Sequence, residues 1–222
     1  PFLAAWPNIL ADCDLNPADD TQIWPPLLSI NTWRPEVITQ ALAHGGDILN
    51  DISALPDAAN ARPCAEHGVA LIIMHSVGEP KVPHTHVTYT SIMETLDGFF
   101  AEKIQLALAA GLSREQIILD PGIDFAKQRD DNLTIYRRLD DLNHFNLPLL
   151  LPVSRKTVIH HAIGVPSAVD RDPGTVASIV SGIRRGASIF RVHHVAAAYQ
   201  ATKVIHSVDS GDEVHRFSVS EE

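Results

Sequence analysis

Six short apolar runs recur along the chain, and each ends in polar residues. They are "LLSINT" (27–32), "GDILND" (46–51), "VALIIMHS" (69–76), "QIILDPG" (116–122), "LPLLLPVSRK" (147–156) and "ASIFRVHH" (187–194). Between them, 34–45, 91–111, 130–142 and 174–187 carry apolar residues at helical spacing, as at Val37, Ile38, Ala41 and Leu42. Pro35 stands where a first helical turn accepts proline, and Gly45 and Gly111 suit helix C-termini. The segment 53–68 gives a weaker helical pattern.

Near-continuous apolar strands alternating with helices predict a parallel sheet covered by helices. Neither GxGxxG nor GxxxxGK[ST], which would favour an open doubly wound sheet, is present. Polar residues stand instead at the end of every strand, where barrel active sites lie. The expected fold is therefore α/β, a TIM (β/α)8-type barrel, as one domain over 1–222 with a C-terminal tail at 206–222. The strand count falls short, because a barrel needs about eight βα units. Residues 1–26 hold at most one strand, "FLAAWPNIL", and one short helix, "NPADDTQIWPPL", the latter running to Leu27. An incomplete N-terminus is expected, and the chain begins at Pro1 rather than Met, as a trimmed or partial end would. A barrel left open, or closed by a neighbouring chain, would account for the same count.

Composition narrows the function. The formal net charge of −10 speaks against a nucleic-acid-binding surface and against an anionic membrane. No apolar stretch reaches the roughly 20 residues that span a bilayer. Cys13 and Cys64 form no CxxC pair, which fits a reducing cytoplasm. "DCDLNP" (12–17) lacks the glycine and closing glutamate of a calcium loop, and the pairs His160-His161 and His193-His194 lack zinc spacing. No protein-held metal is expected. GxSxG, the signature of a serine nucleophile, is absent.

On one rim the barrel would gather Asn31, Asn50, Asp51, Met74, His75, Asp120, Ser154, Arg155, Lys156, Arg191, His193 and His194. Asp120 can accept from two adjacent N–H donors of a heterocycle, and Asn31 and Asn50 add amide pairs. Such a set suits a pterin or a guanine edge. Lys156, Arg191 and His193 suit an anion such as phosphate. Each residue also has a plainer reading, since Asp before Pro-Gly forms turns and Asn after a strand caps helices. The case rests on the constellation.

That constellation resembles the dihydropteroate synthase family of pterin-binding barrels. "SINTWRPEVI", "LNDIS", "IIMHSVGEP", "IILDPGIDFAK", "LLLPVSRKTVI" and "FRVHHV" are similar to its third through eighth strand segments, in order, over about residues 27–205. The resemblance implies condensation of 7,8-dihydropterin-6-ylmethyl diphosphate with 4-aminobenzoate and release of pyrophosphate. It implies that Asn50, Asp120 and Lys156 hold the pterin, with Met74 and Phe125 against its faces. Ser154 and Arg155 would lie near the aminobenzoate, and Arg191 and His193 at the diphosphate. It further implies magnesium carried on the diphosphate, and a homodimer. The chain departs from the family pattern at Asn31, where the family has Asp, at Asp124 and Ala126 for glycines, at Pro152 for Gly, and at His194 for Asp. The family's first two strands and their loops have no counterpart. A non-catalytic pterin-binding or regulatory subunit is the alternative this suggests. A corrinoid-methyltransferase pterin domain is a further one, although it has no need of the diphosphate cations.

Overall fold

The computed structural model describes residues 26–82, 84 and 86–210. The strand and helix expected before residue 26, Cys13, and the end of the tail lie outside the described residues. Within them, six parallel strands alternate with helices: β1 (Ser29–Asn31), α1 (Pro35–Leu42), β2 (Ile48–Asp51), α2 (Ala61–His67), β3 (Ala70–Met74), α3 (Ile92–Ala109), β4 (Ile117–Asp120), α4 (Arg129–Arg137), β5 (Leu149–Leu151), α5 (Thr157–Ile163), α6 (Asp172–Ile183), β6 (Ala187–Phe190) and α7 (Val195–Ser210). All six strands fall inside the six apolar runs.

The strands pair in chain order, β1 through β6. A doubly wound sheet would reverse its order at a switch point. Unbroken order means that every crossover advances the same way, so the helices share one face and the sheet curls as a barrel does. The core divides accordingly. Leu49, Leu71, Ile73, Leu119, Leu149 and Leu151 pack with helical side chains such as Ile38, Leu96, Phe100 and Ile179. The alternate strand residues Ile72, Ile118 and Leu150, with Ile48, Ala70 and Ile189 beside them, form a second cluster made of strand residues alone. That cluster is the barrel interior. Among the described residues β1 and β6 do not pair with one another, so the architecture seen is an incomplete α/β barrel. Between Leu149 and Leu150 the β5–β6 register shifts, so that Leu150 pairs with Ile189 and keeps it in the inner layer.

Local chemistry explains most boundaries. Pro35 opens α1, and the Ser91 hydroxyl caps α3 by accepting the Glu94 N–H. Gly68 and Gly164 end α2 and α5 in the left-handed conformation that glycine adopts freely. At Gly182, a Cβ would come within 2.8 Å of the Leu151 side chain and 2.9 Å of the Phe190 ring. A glycine there lets α6 approach β5 closely.

Four expectations need correction. The helix over 130–142 stops at Arg137, and Leu139–Phe145 forms a 3-10 helix instead. Leu139 and Leu142, three residues apart, are both buried, a spacing that three residues per turn satisfies. Helix α5 was not expected, because seven residues are too few to show a period. Helix α7 was not expected either: its apolar residues Val195, Tyr199, Val204 and Val208 are exposed rather than gathered on a buried stripe. It also carries the chain in helical form to Ser210, so 206–210 is not tail.

Candidate active site

The rim at the carboxyl ends of the strands collects the expected residues. Asn31 pairs in register with Asn50, and Met74 with Asp120. By the two-residue period of a strand, Asn50, Met74 and Asp120 share a face with Ile48, Ile72 and Ile118, which line the interior. The inner apolar layer is thus a floor, and the polar residues stand at its edge. Neither Asn31 nor Asn50 hydrogen-bonds through its side chain among the described residues, so both amides are open to a ligand. Asp51, one residue on, faces outward. It is buried, accepts from Ser53 N and Asn60 Nδ2, and belongs to the framework.

Asp120 is 3% exposed. Its Oδ1 accepts the Gly122 N–H at 2.7 Å, and its Oδ2 accepts no hydrogen bond among the described residues. Burial pushes its pKa up to about 6, against the opposing pull of the Gly122 N–H and the charges of Lys156, Lys127 and Arg191. The turn after it requires Gly122: φ is +68°, and a Cβ would meet the His75 carbonyl oxygen at 2.0 Å.

Lys156 reaches back across this turn. Its Nζ donates to the Ile123 carbonyl at 2.8 Å and stands 4.6 Å from the centre of the Phe125 ring. Burial lowers its pKa, while Asp124 and Asp120 favour its charge. Lys156 therefore sits between a carboxylate and an aromatic face, where a flat heterocycle could lie with an acceptor toward the ammonium. The loops after β2, β3 and β4 enclose a cleft of about 270 Å³ next to it, lined by Ile52, Ser76, Pro80, Phe125 and Lys127 among others.

The other members lie at β5 and β6. Ser154 Oγ accepts the His193 N–H at 3.0 Å and lies 2.7 Å from His193 Nδ1. With the hydroxyl donating to Nδ1, the ring proton rests on Nε2, free for an anion. Arg191 is exposed and makes no hydrogen bond among the described residues, yet it is near enough to Asp120 and Lys156 to act on both electrostatically. Arg155 is engaged: its guanidinium donates to both Asp172 oxygens at 2.8 and 2.9 Å, and its backbone N–H donates to Thr175 Oγ1. This pairing raises the Arg155 pKa and lowers that of Asp172. Arg155 has φ of +58°, and the Arg171 guanidinium holds its carbonyl. The Ser-Arg-Lys turn is therefore fixed on both sides.

Two of the departures from the resembling pattern, Asp124 and His194, have local explanations. The Asp124 carboxylate accepts the N–H groups of Thr157 and Val158. It caps α5, just past Lys156, rather than adding charge against a bound ring. His194 Nδ1 accepts the Ala197 N–H and so caps α7. Lys127, the lysine of the "IILDPGIDFAK" segment, is half-buried against His75 at this rim. Its place two residues after Phe125 was the available signal, but a loop lysine reads by default as solvated. Among the described residues, no cluster of three side chains could hold a metal ion.

Residues 19–193 match the pterin binding enzyme family. The chain is 33% identical over 196 residues to the dihydropteroate synthase of Escherichia coli K12, covering 88% of this chain and 68% of that protein. It is 39% identical over 178 residues to that of Synechocystis, covering 80% and 62%. Dihydropteroate synthase from Thermus thermophilus, solved in complex with 4-aminobenzoate, superposes with a TM-score of 0.77 at 34% identity, over 82% of this chain and 74% of that one. The chain thus spans between about three-fifths and three-quarters of the length of these relatives. Its fold, its strand-end chemistry and these likenesses agree: the chain belongs to the pterin-binding enzyme family, among the dihydropteroate synthases.

Proposed function

We propose that this chain carries out the transfer its relatives are named for, joining a dihydropterin-6-ylmethyl diphosphate to 4-aminobenzoate. The observation that carries this reading is Asp120, buried with one oxygen unclaimed, beside Lys156 and within electrostatic reach of Arg191. Asp120 would accept two ring N–H groups of the pterin, Lys156 would donate to a ring acceptor, and Asn50 would pair with the remaining edge. Met74 and Phe125 would cover the faces. The Thermus thermophilus enzyme has been solved with 6HMPPP as well as with 4-aminobenzoate, which supports binding of both kinds of substrate.

In the reaction the carbon–oxygen bond to the diphosphate breaks, and its electron pair leaves with the diphosphate. The aminobenzoate nitrogen supplies the pair for the new carbon–nitrogen bond and gives up one proton, which the released diphosphate or solvent water takes up. Negative charge grows on the leaving oxygen, so Arg191 and His193 Nε2 would stabilise the transition state more than the ground state. No protein nucleophile is needed. Ser154 would hold His193 in the required tautomer, and Arg155, tied to Asp172, would fix the turn that borders the aminobenzoate. The donors around the diphosphate are cationic and do not fit a magnesium ion directly. The ion would enter on the diphosphate, completing its shell with substrate oxygens and water.

The setting in this reading is a homodimer in the cytoplasm, on the strength of the family resemblance and the widely spaced cysteines. No helix among the described residues is long and apolar enough to cross a membrane. The cationic leaving-group site favours diphosphate release over methyl transfer. Pyrophosphate release by the purified protein tests the proposal. Release should require both substrates and magnesium. A protein that binds the pterin and yields no pyrophosphate would be a binding subunit, not a synthase.

A further inference from the structure

The loop that carries Phe125 is held in a conformation that L-residues rarely adopt. Asp124 and Ala126 have φ of +65° and +47°, so Phe125 lies between two non-glycine residues in the left-handed region. Such a pair persists only where the surroundings over-determine it. Asn132 accepts the Asp124 N–H and donates to its Oδ1, and the Tyr89 hydroxyl donates to the Ala126 carbonyl at 2.8 Å. The Phe125 N–H donates to the Gly122 carbonyl at 3.0 Å, the Asp124 carboxylate accepts from Thr157 and Val158, and Lys127 adds a further contact. Its Nζ lies 3.1 Å from the Phe125 carbonyl oxygen, 2.8 Å from His75 Nδ1 and 3.3 Å from the His75 carbonyl oxygen.

An ammonium has three hydrogens, and here three acceptors meet it. His75 is 2% exposed and packs edge-on against Phe99 at 4.8 Å. Burial and the Lys127 charge hold its pKa down at about 3, so the ring is neutral, and with its proton on Nε2 the Nδ1 accepts from Lys127. One amine therefore ties the end of β3 to the loop after β4. That loop gives Lys156 both the Phe125 ring and the Ile123 carbonyl. A shift of the Phe125 carbonyl would move the ring under the Lys156 ammonium.

We propose that Lys127 is a positioning residue: by bonding His75 and Phe125 at once, it sets the Phe125 ring beneath Lys156 for the pterin. This rests on the reading that Phe125 and Lys156 meet that ring. The groups facing Lys127 are neutral His75 from the β3 end, Asp120 from β4, Asp124 from its own loop, Asp131 from α4 and Lys156 from the β5 turn. The carboxylates favour its charge and Lys156 opposes it, but burial dominates and pushes the pKa down to about 7. Above that pH the neutral amine has two hydrogens for three acceptors, and the clamp slackens.

The test is calorimetric titration of the whole chain with 6-hydroxymethyl-7,8-dihydropterin from about pH 6 to about pH 9. Wild-type affinity should fall as pH rises through about 7. Lys127→Met should bind about tenfold or more weakly at the lower end and lose that pH limb relative to wild type. Lys127→Gln, which keeps a donor without the charge, should fall between the two. Ala126→Gly, which removes a left-handed penalty, should return part of the affinity lost in Lys127→Met. If Lys127→Met does not fold, the wild-type pH limb and Lys127→Gln decide. Variants that melt lower but keep wild-type affinity and its pH limb would show Lys127 to be structural only and overturn the proposal. A wild type that binds no dihydropterin would overturn the pterin reading itself, and the positioning role with it.

Discussion

Replacing Asp120 by asparagine is expected to abolish useful pterin binding while leaving the fold intact. Two charge-assisted hydrogen bonds to ring N–H groups would be lost or weakened, at about 1.5–3 kcal/mol each, and affinity should drop on the order of 10²–10⁴-fold. The amide can still accept the Gly122 N–H, so the turn has no reason to open. Stability should follow the carboxylate's linkage. Its folded pKa of about 6 lies above the unfolded value of 3.8. The native state therefore binds more protons between those values, and stability falls as pH rises through that window. Above pH 6 wild type bears the cost of a buried charge that Asp120→Asn does not. Melting at neutral pH should then be no lower in the variant, which separates a binding defect from unfolding. Wild-type binding should weaken as pH falls below about 6, as Asp120 takes up a proton, and Asp120→Asn should lack that acid limb. Loss of binding together with loss of the folded state would contradict this assignment.

The second large effect is expected at Arg191. If it stabilises charge developing on the departing diphosphate, Arg191→Ala should lower kcat on the order of 10²–10³-fold, the usual cost of removing one such donor. Binding of a dihydropterin lacking the diphosphate should change by no more than about twofold, because no diphosphate contact is then lost. Arg191 is exposed and hydrogen-bonded to nothing among the described residues, so the substitution leaves no partner orphaned. Pyrophosphate release measured beside pterin titration separates the two quantities. Unchanged turnover would remove Arg191 from the diphosphate site.

How far the sequence reached depended on what each feature required. Strands β3, β4 and β5 were legible because a parallel strand buried on both faces leaves a continuous apolar run, as in "LPLLLP" and "ALIIM". Asp120, Lys156, Arg191 and His193 were legible because polar residues directly after such runs must lie on one rim. What the sequence concealed depends on tertiary partners. Asp124 reads as an intrusion until α5 is placed against it, where it becomes a cap. Arg155 reads as a free cation until Asp172, 17 residues on, folds back to meet it. Lys127 reads as solvated until its contact with His75 is known. Helix α7 was hidden because helical spacing is legible only when one face is buried, and four of its large apolar residues are exposed.

The central claim is that the strand-end rim holds a pterin on Asp120 with its diphosphate toward Arg191 and His193. A crystal structure of the protein with 6-hydroxymethyl-7,8-dihydropterin diphosphate tests it most directly. The account predicts ring N–H groups on the Asp120 carboxylate, the ring between Met74 and Phe125 with Lys156 at its edge, and the terminal phosphate against Arg191 and His193 Nε2. A pterin bound elsewhere, or one bound at the rim with its diphosphate directed away from both cations, would contradict it.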